Sequence, residues 1–253
     1  MIDTLPVAPA WLLLFAAITL YVVDVAQLLF VNELLFVRAG PSRWRALFPL
    51  GRPELARRYL VLPSVLRPDR AVWRLTWPAR VAQARPAGDA PAASVEATIR
   101  HLAALRWFGP VLLVVLLLGA PAGYLLFDAL GFLAVIAVAY LFTLLALATL
   151  VRARARVGLS WLALASLAFE SLVCIPYSIN LYRKVTLRVL PRDVDVLAAG
   201  RELVAGTEHP SFLAGIESAV GRRLQWLTPG SADYQRLEAT RRELGAGRGT
   251  DGS

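Results

Sequence analysis

All 27 basic residues of this chain fall between residues 38 and 106, 152 and 156, or 183 and 248, and the stretches Met1 to Val37 and Trp107 to Val151 contain none. An apolar run near 20 residues long, rising about 1.5 Å per residue as a helix, covers a hydrocarbon core of roughly 30 Å. The alternation of charge-free and arginine-rich blocks therefore predicts helices that cross a bilayer, joined by charged segments on one side of it. A hydrophobic content of 57%, gathered in blocks rather than spread, agrees with that reading and not with a soluble core.

The formal net charge is +9, and the positive charge abuts apolar runs. Anionic lipid headgroups and the positive-inside bias account for it, and nucleic acid is not an expected partner because no recognition motif accompanies the charge. Lys184 is the only lysine; the arginine excess reads as codon bias of a GC-rich bacterial genome, which makes the expected location a bacterial inner membrane. Cys174 is the single cysteine, so no internal disulfide or cysteine cluster forms, and His101 and His209 are far apart in sequence. Neither a cofactor nor a metal is expected. HExxH, GxSxG, P-loop, GxGxxG and CxxC patterns are lacking, so no reaction is indicated.

These features predict an all-α integral membrane protein. Residues 1–37 form an external N-terminus and a first span from Trp11 to Val37, closed by Arg38, Gly40 and Pro41. Residues 38–106 form an Arg/Trp-rich cytoplasmic loop of short interfacial helices, divided by prolines, then a linker at 83–93 and a juxtamembrane helix capped by Ser94. Residues 107–151 form a transmembrane hairpin with its connection around Asp128 and Ala129. Within it GAPAG reads as a kink or early helix end rather than a packing motif.

The fourth apolar run, residues 157–181, is flanked by arginines on both sides. Both flanks are cytoplasmic only if the segment enters and returns; a full crossing, the preferred expectation, breaks the charge bias. Residues 183–244 form a helical tail in which Phe212, Ile216, Val220, Leu224 and Leu227 share one face, with Asp193 or Asp195 starting an earlier helix and disorder expected over 245–253.

Within the apolar runs, Asp24 and Glu170 stand out because an ionisable side chain in hydrocarbon must be paired, protonated or wet. Ser166, Glu170, Cys174 and Ser178 recur at i+4, which places them along one side of a continuous helix. These residues are a candidate polar site, either structural or coupled to a proton or cation. Arg43, Arg45, Arg57, Arg58 and Arg74 are candidate contacts to anionic headgroups. The functional expectation is a non-catalytic multi-pass protein that binds lipid or other membrane proteins, as a scaffold, accessory subunit or homo-oligomer. The alternatives are a small transporter or channel component using Asp24 and Glu170, or a membrane enzyme acting on lipid phosphate.

Overall fold

A computed structural model describes residues 9–40, 43–76, 91–192, 194–204 and 208–248. The expected external tail at residues 1–8, most of the linker, the Asp193 cap and the last five residues lie outside the described residues. In chain order the elements are α1 (Pro9–Val25), then strands β1 (Gln27–Leu29), β2 (Glu33–Arg38), β3 (Trp44–Leu47), β4 (Glu54–Leu55), β5 (Arg58–Val61) and β6 (Val72–Thr76). Helices α2 (Pro91–His101), α3 (Phe108–Val114) and α4 (Ala120–Ala153) follow, then α5 (Trp161–Val173), α6 (Ile175–Ile179), α7 (Leu181–Val189), α8 (Val196–Leu203), α9 (His209–Leu224) and α10 (Ala232–Arg248). The chain is mostly helical but not all-α, because two antiparallel three-stranded sheets form, ordered β1-β5-β4 and β3-β2-β6. It divides into a helical unit, Met1–Ala26 with Ser64–Arg70 and Thr98–Val189, and a sheet unit built from the remaining segments.

In the helical unit, only Leu105–Ala153 is long and apolar enough to cross a membrane by length and composition among the described residues. It is not one rod. Phe127 (φ −138°, ψ 17°) and Asp128 (φ 52°, ψ −140°) leave helical geometry, and the chain folds back there. The pairing of Gly119 with Val135, and of Gly123 with Gly131, shows that the two arms run antiparallel. A Cβ added to Gly131 would lie 2.0 Å from the Gly123 carbonyl oxygen, so this crossing requires glycine. GAPAG therefore does pack, contrary to its expected role as a simple break. Its proline leaves a mark as well: residues Val115–Gly119 form a π turn in which the Ala120 N–H bonds to Val115 O. An α-turn would press the Pro121 ring against the Leu117 carbonyl, and the wider turn relieves that clash.

The first and fourth apolar runs differ from expectation. The first helix ends at Val25, and the sequence expected to finish the span forms β1 and β2 instead. A short apolar run such as ELLFV carries no period that separates a strand buried on both faces from a helix, and Leu34, Leu35 and Phe36 are fully buried here. The fourth run breaks at Cys174, whose backbone is extended (φ −140°, ψ 101°), and Pro176 starts α6. Helix α5 begins at Ser160, whose Oγ accepts from Ala163 N at 3.2 Å. Helix α7 then runs back along α5, with Lys184 against Glu170 and Arg188 against Ser166 and the Ala163 carbonyl. The fourth run is thus not the one continuous helix that the preferred full crossing implied, but a helix, a break and a second helix antiparallel to the first. Tyr21, Val25, Leu112, Leu116, Ala139, Ile175 and Ile179 form the core shared by α1, both arms and α6.

In the sheet unit, the part of the 38–106 loop expected to form interfacial helices carries strands β3 to β6 instead. Prolines cut this region into pieces too short for helices, and alternation in VWRLT suits a pleated face. The core is aromatic: Phe36 lies 5.8 Å from Trp73 and 5.9 Å from Phe212, and Phe48 lies 6.0 Å from Phe212, centroid to centroid. Gly200 gives the Phe212 ring its space, since a Cβ there would lie 2.1 Å from it. Helix α9 buries Phe212, Ile216, Ala219, Val220 and Leu224, so the apolar face of the tail is spent on the sheet. The Trp73 indole N–H donates to Pro191 O at 2.6 Å, fixing the start of the tail to β6.

Candidate functional site

The polar residues of the helical unit converge. Asp24 stands one residue before the end of α1, not at mid-span as the longer expected helix implied. The Lys184 ammonium on α7 lies 2.7 Å from Asp24 Oδ1 and 3.1 Å from Glu170 Oε2. Asn180 Nδ2 donates to Asp24 Oδ2 at 3.0 Å, Ser166 Oγ to Glu170 Oε1 at 3.0 Å, and Arg188 Nη2 to the same Oε1 at 3.1 Å. Tyr177 completes the surround, with Lys184 Nζ 4.4 Å from its ring centroid. Two carboxylates thus face two cations, and every carboxylate oxygen has a donor.

Asp24 and Glu170 both contact Lys184, and Ser166 contacts Glu170. Cys174 marks the helix break, so the i+4 stripe stops there. Ser178 faces elsewhere, bonded to Thr143 Oγ1 at 3.1 Å and to Ser171 O at 3.2 Å. Sequence reasoning missed Lys184, Arg188 and Asn180. Their own i+4 spacing, opposite that of Ser166 and Glu170, was the available signal.

A second anchor is Arg183, nearly fully buried. Its Nη2 donates to Ser64 O and, at 2.6 Å, to Arg67 O, while Nη1 reaches Asn180 Oδ1 at 3.4 Å. Tyr21 OH donates to Val65 O in the same loop. Gly109 allows a close approach, for a Cβ there would sit 2.6 Å from the Ile179 carbonyl oxygen. These contacts fix residues 64–70 within the helical unit.

The candidate headgroup arginines separate into two groups. Arg43, Arg57 and Arg58 are exposed, and Arg45 is exposed with Glu208 3.9 Å away, a separation worth little at a wet surface. Arg74 is instead committed to the protein: its Nη2 donates to Glu33 Oε2 and to Leu28 O. Glu33 Oε2 also accepts from Phe30 N at 2.9 Å, so the pair closes the turn between β1 and β2. His209 Nδ1 lies 3.2 Å from Val204 O at the start of α9, a local turn contact.

Among the described residues, no three His, Cys, Asp or Glu side chains are grouped to hold a metal ion. What the Asp24–Lys184–Glu170–Arg188 network can do is tie α1, α5 and α7 together with balanced charge. No protein-family model matches the chain, and neither does any curated protein or solved structure.

Proposed function

We propose that the protein is a multi-pass protein of the bacterial inner membrane that works without catalysis, as a scaffold or accessory subunit binding lipid or another membrane protein. One observation carries this reading: the helical unit turns large apolar side chains outward. Phe15 is 71% exposed, Leu130 78% and Leu162 83%, on α1, the second arm and α5 in turn. Apolar exposure on this scale is unfavourable in water and ordinary against lipid tails.

Chain parity supports a specific topology. The sheet unit takes its strands from before the hairpin and its helices α8 to α10 from after α7, so both parts lie on one side of the bilayer. The two arms cross and return; the chain from α5 to α7 must therefore also return to the side it left. That arrangement puts the arginines at 152–156 and 183–192 on the cytoplasmic side together, as the positive-inside bias requires. Three crossings and one re-entrant segment result, in place of four crossings.

To test it, Ser231→Cys is placed in a Cys174→Ser background and intact cells are treated with an impermeant thiol reagent. Protection in cells with labelling after lysis is expected, and Asp128→Cys in the same background labels without lysis. Labelling of the Ser231→Cys variant in intact cells refutes the topology. Coupled transport through Asp24 and Glu170 draws on the same network, but a network with every oxygen paired and no net charge favours the structural role.

A further inference from the structure

The sheet β1-β5-β4 carries apolar side chains on both faces. Pairing of Leu28 with Leu60 and of Leu55 with Arg58 puts these four side chains on one face, because directly opposed residues point the same way. Phe30 and Leu62, each two residues further along, belong to it, and the Arg58 guanidinium lies 4.6 Å from the Phe30 ring centroid. The opposite face holds Leu29, Tyr59 and Val61, all buried in the unit, with Gln27 and the exposed Glu54 at its edges. An antiparallel sheet with one face on a core ordinarily turns polar residues to water on the other. Here the outer face instead leaves Phe30 41%, Leu62 42% and Leu55 63% exposed.

The turn that ends this face is costly for its residues. Ala56 and Arg57 occupy left-handed backbone, φ 50° and 64°, where a two-residue hairpin ordinarily uses asparagine and glycine. Strain kept at an exposed tip points to a use for the side chains there. Those side chains are Arg57 and Arg58, exposed beside Leu55. Strand β1 begins two residues after α1 ends, so on the membrane reading the chain passes from span to strand with a single residue between them.

The geometry points to the Leu28–Phe30–Leu55–Leu62 face as a membrane-interface insertion surface, with Arg57 and Arg58 taking the phosphates of anionic lipid headgroups. It rests on the membrane reading above and adds a site to it. Apolar side chains enter the headgroup boundary and cations stay at phosphate level, the arrangement that interfacial elements use. Each arginine near an anionic surface contributes about a fivefold preference for it.

The test uses the full chain in nanodiscs, with Leu55→Cys in the Cys174→Ser background carrying an environment-sensitive fluorophore, and Leu133→Cys labelled separately as a reference. Phosphatidylcholine discs are compared with discs containing phosphatidylglycerol and a spin-labelled lipid quencher. In anionic discs the probe on Leu55→Cys is expected to shift to the blue and be quenched. Adding Arg57→Gln and Arg58→Gln reverses both effects, with an expected loss of about 25-fold in the docked-to-free ratio. If the reference probe is quenched and the Leu55→Cys probe stays aqueous, the insertion surface is refuted and the membrane reading stands. Shielding of the Leu55→Cys probe that is indifferent to lipid charge and to the arginines refutes it in favour of a protein partner or a second copy. An unquenched reference probe overturns both readings.

Discussion

Replacing Lys184 by methionine removes the cation that both Asp24 and Glu170 share. The side chains of Lys184 and Asp24 are 16% and 12% exposed, so the pair is largely withdrawn from water, whereas that of Glu170 is 33% exposed and keeps Arg188. Breaking a buried pair by deleting one partner costs about 3–5 kcal/mol, because the other charge is left buried. The lower end, about 3 kcal/mol, applies here: Asn180 still donates to Asp24, and the Glu170 contribution is discounted for solvent screening. Pairing Lys184→Met with Asp24→Asn should recover most of the loss, to within about 1 kcal/mol of the parent, since neither charge then remains. Equilibrium unfolding in mixed micelles, followed by the fluorescence of the 7 tryptophans, measures both. A Lys184→Met cost below about 1 kcal/mol, or a double variant no better than the single, refutes the claim that this network holds α1 to α7.

Two packing predictions go with it. Phe212→Ala empties the aromatic core of the sheet unit and should cost about 3–5 kcal/mol, read as lost near-ultraviolet circular dichroism and a lower denaturant midpoint. Gly131→Ala drives a methyl into the Gly123 carbonyl and should cost about 1–3 kcal/mol by forcing the arms apart, read by thermal unfolding in detergent. A neutral result for either refutes the contact it probes.

The hairpin was legible because residues 107–151 are too long for one span and carry a single charge, Asp128, near the middle, where the chain does turn. The sheets were not, for a physical reason. Strands of two to six residues present too few side chains to establish a period, and β2 is buried on both faces, so its apolar run resembled the end of a span. Trp44, Trp73 and Tyr59 beside arginines looked interfacial, yet all three are buried in the sheet unit. The site was half legible. Asp24 and Glu170 announced themselves as charges in apolar runs, but their shared counter-ion lies 160 residues from Asp24 in sequence, and only the return of α7 along α5 brings it near.

That return needs more than charge. A helix that stops inside an apolar environment leaves carbonyls without N–H partners, and each costs several kcal/mol in hydrocarbon unless a neighbour covers it. At the end of α5 the orphaned acceptors are met by hydroxyls. Tyr140 OH donates to Leu172 O at 3.2 Å and Ser178 Oγ to Ser171 O at 3.2 Å, with Thr143 Oγ1 donating to Ser178 Oγ. Two of those three side chains lie on the second arm of the hairpin. The break at Cys174 is therefore supported from outside its own segment. Glycine crossings set the arms, the second arm caps the broken helix, and the capped break turns α7 so that Lys184 reaches Asp24. On this ordering the ion network is a consequence of the fold-back of α7 along α5 and its lock, which is why we assign it to structure.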